Sequence, residues 1–405
     1  MASKTDRLLQ EDKAPYGRIS PACPVFGACG GCSLQDLAYE DQLALKRQRL
    51  VRALASIDGL PAFELVPLEA PWRYRNKAEF TFGSADGALT LGYHAARSYW
   101  RVVDLEDCLL LPEAAMRAAR LTLSAAAAAG LPAYHPRTHQ GFFRYLVVRA
   151  SRATGTIVLC LITAPGSGDA VARIGEAVRQ ASAEVVGFYW GISGRIADIA
   201  VPDTLTRLWG EERFEEQVGP FRLQLHPLSF LQPSLTQAER MYSRLAEAAA
   251  PFRDGVGWDL YCGIGLAGFY LAGAVRKVYG IDSEPHHLEL AQANAARNRI
   301  ANIEFKAGKV EQLLMDKRFW LQEAKPDIVV VDPPRAGVHA DALSSVLSAR
   351  PKRIVYFSCN AQSLVRDLAV LMKSFPRYRV ISARAYDMFP QTNHVETVLV
   401  LERLR

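Results

Sequence analysis

The sequence has no run of eighteen or more apolar residues, the length a membrane-crossing helix needs; its longest alanine-rich run, Ser124 to Gly130, is far too short, so no span is expected. The first twenty residues lack an apolar stretch and mix Lys4, Asp6, Arg7, Glu11, Asp12 and Lys13. That composition predicts a polar tail rather than a secretion signal, with the cytoplasm as the default location. Cysteine is scarce, and its count of seven is odd, which in a signal-free chain argues against a disulfide framework and for metal or catalytic use. No internal repeat and no low-complexity segment is present. Nothing calls for an obligate protein partner, and a monomer is expected. A strong charge bias is also missing, the formal net charge being only +6 over 405 residues. The surplus is uneven: the stretch from Pro351 to Arg405 holds nine Lys/Arg against four Asp/Glu, which suits a polyanionic partner near the C-terminal end or a merely solvated basic face.

What is present divides into two grammars. Half the residues are apolar and mean hydropathy is near zero, as in a globular protein, and the length makes two domains the natural expectation. Cys23 to Cys32, CPVFGACGGC, reads as a glycine-rich loop, and Leu34 to Leu54 has helical spacing. From Trp72 to Val103 the pattern alternates as strands do, with Asp86-Gly87 as a hairpin signal. An alanine-rich helix is predicted from about Pro112 to Ala129, followed by the strand-like runs FRYLVVRAS and GTIVLCLIT. A helix over Gly168 to Ser182 and a strand over Val185 to Gly191 complete an α+β first half. After Gln232 strand and helix alternate through GVGWDLYCGIGLAG, VYGID, IEFKAG, DIVVVDPP and RIVYFSC, the rhythm of a doubly wound parallel sheet. YRVISARAYDMF and HVETVLVLER read as a closing strand pair. The division expected is a tail over 1–20, a loop and α+β domain over 21–235, and an α/β Rossmann-like domain over 236–405.

Trp258 to Gly265 is an apolar strand running into a glycine turn and a helix, so that backbone at Gly263 and Gly265 can approach a ligand at the sheet's carboxyl edge. Asp282, seventeen residues beyond Gly265 and at the end of the next predicted strand, can accept hydrogen bonds from both ribose hydroxyls of a nucleoside cofactor. Dinucleotide binding and a glycine turn without a ligand are the rival readings. Asp332-Pro333-Pro334-Arg335 ends the next buried strand in a turn stiffened by two prolines. Tyr356-Phe357-Ser358-Cys359-Asn360 ends another, and Cys359 is placed in the same crevice. A lone cysteine is more often packing, but Ser358, Asn360 and Gln362 argue against an apolar niche, and the positive end of the following helix lowers a thiol pKa. Glu396 lies just inside the apolar strand TVLVLE, where a buried acid costs free energy unless it is used or paired. His394 at a strand mouth is more often structural than catalytic.

Taken in order, DLYCGIG, DPPRAG, FSCNAQSLVRDL and MFPQTNHVETV resemble the RNA uridine carbon-5 methyltransferases. CPVFGACGGC, with Cys108 in LEDCLLLP, resembles the iron–sulfur-containing bacterial branch that modifies 23S ribosomal RNA, as do RYRNKAEF and FRYLVVRAS of its central domain. The likeness runs from Cys23 to Arg405. It implies an S-adenosylmethionine-dependent methyltransferase domain behind an RNA-binding central domain. It implies Cys359 as nucleophile, Glu396 as base, and cofactor contacts from Gln232 in SFLQPS, Tyr261, Asp282 and Asp332. Departures are Ser234, where the family often has Asn, Asp282, where it often has Glu, and Leu266, which leaves only backbone contact there. The spacing C-x5-C-x2-C plus Cys108 suits a [4Fe–4S] cluster or zinc on Cys23, Cys29, Cys32 and Cys108; the family likeness favours the cluster. Radical chemistry is disfavoured, because that class places three residues, not five, between its first two cysteines. Cys160 and Cys262 are assigned to packing. The expected RNA is 23S rRNA, with tRNA as the alternative and a cytosine carbon-5 methyltransferase, a non-catalytic binding protein and an iron–sulfur redox protein as more distant readings.

Overall fold

The computed structural model describes residues 4–316 and 325–404; residues 1–3, the head of the expected tail, lie outside them. The remainder of that tail is not a tail. It forms helix α1 (Lys4–Lys13), because Leu9 finds an apolar niche with Leu34, Leu37 and Leu45 and Lys13 is buried against Asp36 at 2.6 Å. Helix α2 (Tyr39–Ala53) and strand β1 (Glu64–Val66) follow the cysteine loop. Both belong with the C-terminal half rather than with the central sheet. Leu50, Leu54 and Phe63 share a core with Leu364 and Leu368, and β1 extends the edge of the C-terminal sheet.

The central sheet is built from β2 (Lys77–Ala85), β3 (Ala88–His94), β4 (Val102–Asp104), β5 (Phe143–Ala150), β6 (Ile157–Thr163), β7 (Val185–Ile192) and β8 (Thr204–Gly210), in the order β4-β3-β2-β5-β6-β7-β8. Asp86 and Gly87 both have positive φ, 51° and 80°, which is the two-residue hairpin geometry that matches strand twist. Helices α3 (Glu113–Ala128) and α4 (Gly168–Ala181) cover one face. There Phe80, Phe82, Leu146, Leu159 and Phe188 meet Ala115, Ala119, Leu123 and Val171. The opposite face, carrying Tyr145, Val147, Val158, Cys160 and Tyr189, packs on the C-terminal half through one continuous apolar core. A hairpin of β9 (Phe214–Val218) and β10 (Phe221–Leu225) bridges the two.

The C-terminal sheet contains β11 (Val256–Leu260), β12 (Lys277–Asp282), β13 (Ile303–Ala307), β14 (Ile328–Val331), β15 (Arg353–Ser358), β16 (Tyr378–Tyr386) and β17 (Glu396–Arg403). Its order is β1-β16-β17-β15-β14-β11-β12-β13, parallel except around β17. Helices α5 (Leu235–Ala249), α6 (Leu266–Ala272), α7 (Pro285–Arg297), α8 (Val310–Met315), α9 (Ala340–Ala349) and α10 (Ala361–Lys373) layer both faces. Trp258, Val329, Val330 and Ile354 are fully buried, as parallel strands between helix layers must be. From β11 the chain first builds outward to β12 and β13, then returns to β14 on the other side. The switch point between β11 and β14 opens the crevice where such sheets bind ligands. Among the described residues no helix is long and apolar enough to cross a membrane.

Candidate active site

Two adjoining cavities occupy that crevice, and Phe230, Gln232, Tyr261 and Asp332 line both. Tyr261 leaves β11 with φ of 64°, a left-handed conformation that costs a non-glycine residue roughly 1–2 kcal/mol and tends to persist at functional sites. Gly263 and Gly265 continue the turn at φ 52° and 84°, and a Cβ on Gly265 would also crowd the Phe305 ring at 3.0 Å. The Gly263 N–H donates to Asp282 Oδ2 at 2.9 Å, which ties the glycine turn to the end of β12. Asp282 is otherwise engaged by the Glu284 N–H at 2.9 Å and by His287 Nδ1 at 3.3 Å. Burial pushes its pKa up, but the bonds from His287, Glu284 and Gly263 prevail and hold it below the usual carboxylate range.

The first cavity also takes in Tyr242, Asp259, Gly263, Leu266 and His287. Of the expected cofactor residues, Gln232, Tyr261, Gly263 and Asp332 line it directly. Asp282 and Gly265 do not; they stand behind it and shape the turn. Cys262, expected as packing, is buried but also lines this cavity, whereas Cys160 lies wholly in the core.

The second cavity, of about 330 Å³, is lined by Pro333, Pro334, Arg335, Cys359, Phe389, His394 and Glu396. Cys359 follows β15, and Asn360 caps α10 by accepting from the Gln362 N–H at 3.0 Å while its amide donates to the Arg335 carbonyl at 2.9 Å. The two strand-end turns are thus fastened side by side. Cys359 and Glu396, predicted separately, face one space. The thiol is not lowered as the helix end alone would have it. Burial and then the Glu396 charge push it up, with Arg335 pulling the other way. Burial, then Asp332, pushes Glu396 well above the usual range, and burial raises Asp332 to about 7 and Asp259 to about 8, the latter with help from Asp332. Three carboxyl groups therefore share desolvated space across the two cavities, with only Arg335 among the lining side chains as a permanent cation. That arrangement suits a cationic ligand.

The C-terminal part of the chain, residues 215–404, matches the family model for tRNA (uracil-5-)-methyltransferase. An uncharacterized RNA methyltransferase of Caldanaerobacter subterraneus is 35% identical over 97% of this chain and 86% of its own length. A second, from Halalkalibacterium halodurans, is 32% identical over 98% of this chain and 86% of its own length. The chain belongs to the RNA uracil-C5 methyltransferase family. Among solved structures, the Pyrococcus abyssi tRNA (uracil-54, C5)-methyltransferase in complex with S-adenosyl-L-homocysteine superposes with a TM-score of 0.77 at 27% identity, covering 95% of this chain and 85% of that one. The mixed α/β methyltransferase architecture expected from the sequence is the one found.

For a member of this family the sequence reading missed Arg335, Tyr242 and Phe230. Arg335 stood in the quoted DPPRAG motif, and its charge beside Cys359 was the available signal. Tyr242 sits on α5, where nothing in the helical pattern sets it apart from core. His394, read as structural, lines the second cavity beside Phe389.

The cysteine loop is different. Cys23, Cys29, Cys32 and Cys108 line one small cavity with Gln35 and Tyr93. Among the described residues no group of three or more His, Cys, Asp or Glu is arranged to hold a metal ion, so the four thiols share a cavity without forming a metal site. Burial raises the Cys29 and Cys108 thiols and pushes Cys32 up to about 11. The loop does grip the segment that leads into Glu396. The Ser33 and Leu34 N–H groups donate to the Gln391 carbonyl at 2.9 and 3.0 Å, and the Ser33 hydroxyl accepts from the Asn393 N–H at 3.1 Å. On α2, Gln42 exchanges two hydrogen bonds with Gln391. Lys46 and Asp387, both fully buried, pair at 2.5 Å, and Lys46 also donates to the Phe389 carbonyl at 3.0 Å. Burying each charge costs several kcal/mol before pairing, and the Tyr39 hydroxyl helps to offset it by donating to Asp387 at 2.9 Å.

Proposed function

We propose that this chain transfers a methyl group from S-adenosylmethionine to carbon 5 of a uridine in RNA, with Cys359 as covalent nucleophile and Glu396 as base. The observation that carries the reading is that Cys359 and Glu396 line one cavity, and that this cavity joins the glycine-turn cavity through Gln232, Tyr261 and Asp332. The donor pocket fits its occupant by charge: buried acids at Asp259 and Asp332 favour a sulfonium and ammonium cation, and Asp282 holds the turn for the ribose. When bound, the cofactor supplies an electrophilic methyl group on sulfur.

Uracil carbon 5 is too weak a nucleophile to take that methyl directly. The Cys359 thiolate adds to carbon 6, and the electron pair displaced from the ring double bond makes carbon 5 nucleophilic. After transfer, carbon 5 carries both a methyl group and a proton. The Glu396 carboxylate removes the proton, the double bond re-forms, and Cys359 leaves as thiolate. Arg335 stabilises the thiolate against the neighbouring acids. A carboxyl with a raised pKa is the stronger base for this step. The target must leave its stack to reach a pocket this enclosed.

On this reading residues 21–235 hold the RNA and residues 236–405 perform the transfer, in the cytoplasm and as a monomer. The cysteine loop supports 23S rRNA as the substrate and a [4Fe–4S] cluster on Cys23, Cys29, Cys32 and Cys108. Four thiols on one cavity are the donor set such a cluster would take. There it would fix the loop that holds Gln391. The archaeal neighbour, which acts on tRNA, supports the second reading. Incubating the protein with S-adenosylmethionine and total RNA from a strain lacking it, then mapping 5-methyluridine, decides between them. Methylation confined to 23S rRNA is expected; 5-methyluridine in tRNA alone would establish the alternative, and a methylated cytosine would overturn the uridine assignment.

A further inference from the structure

The central sheet carries a third cavity, of about 150 Å³, that the methyl-transfer chemistry does not use. Strands β2 and β5 set Thr81 beside Tyr145, and the end of β3 adds His94. Three loops supply Trp100, the Tyr134-His135 pair and Asp198. We propose that this cavity is a second nucleobase site, which holds one unpaired base of the RNA substrate while the target uridine occupies the Cys359 pocket. The proposal rests on the reading of the chain as an enzyme acting on RNA and names where a further part of that RNA docks.

The floor is polar and fixed. His94 Nε2 lies 3.1 Å from Asp198 Oδ2, and the Tyr145 hydroxyl donates to the other carboxylate oxygen. The His94 bond, opposed by burial and aided by Tyr145, holds Asp198 below the usual carboxylate range, so it faces the cavity as an anion. One wall is Arg144, only 3% exposed, whose guanidinium lies 4.2 Å from the Tyr134 ring centroid and donates to the Ser193, Arg195 and Ala197 carbonyls. Even so, Arg144 Nε and His94 Nδ1 are buried without a hydrogen-bond partner. Trp100 is 46% exposed at the rim, its ring 6.4 Å from that of His135.

These features describe the ligand. Trp100 and His135 offer flat faces, and Asp198 accepts. A planar ring with donors and acceptors along one edge matches all of them; a phosphate would meet the Asp198 charge. Stacking of splayed bases on aromatic side chains, with edge hydrogen bonds, is how single-stranded RNA is held. The location fits as well. Tyr145 belongs to the apolar core shared with the C-terminal half, so the site lies on the sheet face turned toward the methyltransferase sheet rather than beneath α3 and α4. The Gly30 N–H of the cysteine loop donates to the His94 carbonyl at 2.9 Å, so the loop that grips the catalytic segment also pins this strand end.

The test uses the full-length protein and total RNA from cells lacking it. Ultraviolet crosslinking followed by peptide mass spectrometry should give an RNA adduct on the peptide containing Trp100, separate from any adduct at Cys359. Trp100→Ala, which removes one base stack, and, as a conservative second variant, Asp198→Asn, which removes the anionic acceptor, should each raise KM for the RNA by about tenfold, with most of the loss in KM rather than kcat. Their affinity for S-adenosylhomocysteine should match wild type, which also confirms folding. Wild-type KM in both variants, or crosslinks that avoid this peptide, would overturn the proposal. A crosslink at Trp100 in a protein that methylates no RNA would support the base site and overturn the methyl-transfer reading instead.

Discussion

The strand-end crevice and the cysteine loop are neighbours, yet they are built by opposite rules. In the crevice, Tyr261, Asp332 and Cys359 each follow the last residue of a parallel strand and Glu396 opens the strand paired beside them, so the hydrogen-bond ladder fixes their spacing before any ligand arrives. The cysteine loop has no such ladder. Its thiols are held by short turns, such as Phe26 N–H to the Cys23 carbonyl, and by isolated bridges from Cys29 to Phe26 and Ala95. The contrast teaches where pre-organisation comes from: a sheet edge supplies it from the backbone ladder, whereas this loop relies on short turns and isolated bridges.

The sharpest way to break the comparison is at the crevice. Glu396→Gln keeps the shape of the side chain but removes the base, so turnover should fall by about 10²–10⁴-fold while a denaturation-resistant protein–RNA adduct accumulates. Because the Glu396 charge helps hold the thiol up, adduct formation in this variant should also shift to lower pH. In wild type both groups are raised and both must lose a proton, so kcat/KM should climb with pH through neutrality toward the alkaline side. Rapid release of methylated product by Glu396→Gln would remove the base assignment.

The join between the regions comes next. Lys46→Met strands the buried Asp387 charge, and breaking a buried pair from one side costs about 3–5 kcal/mol. Thermal unfolding should show that loss, and methylation should fall with it, since Lys46 also holds the Phe389 carbonyl. An unchanged Tm would mean that the α2 anchor contributes little. The smallest effect should come from the loop itself. Anaerobically prepared wild type should carry iron and the visible absorption of thiolate-bound clusters, both lost in Cys32→Ala, with a decline in activity far short of that in Glu396→Gln. Iron-free wild-type protein with full activity would contradict the cluster.

Legibility follows the same division. The doubly wound half could be read because each chemical residue sits at the end of an apolar run, and Asp86-Gly87 announced its hairpin through the only local chemistry that suits it. The β9–β10 hairpin and the three-residue β1 gave no comparable pattern. The segment holding α1, α2 and β1 was misplaced because short amphipathic stretches do not declare which core they join. The Cys359 thiol was misjudged because a helix end is local, whereas burial, and after it the charges of Glu396 and Asp332 arriving from other strands, is set by the fold. Nothing in the order of residues reveals that Ser33, Gln42 and Lys46 clamp the segment from Asp387 to Asn393, since those partners lie hundreds of positions apart.

The most direct measurement is to incubate wild-type protein with S-adenosylmethionine and RNA containing 5-fluorouridine, whose carbon 5 has no proton to give up, then digest the trapped complex and sequence the adduct peptide. The account predicts a methylated fluoropyrimidine attached through Cys359 Sγ, and no adduct in Cys359→Ala. An adduct on another residue, or full methylation of ordinary RNA by Cys359→Ala, would contradict it.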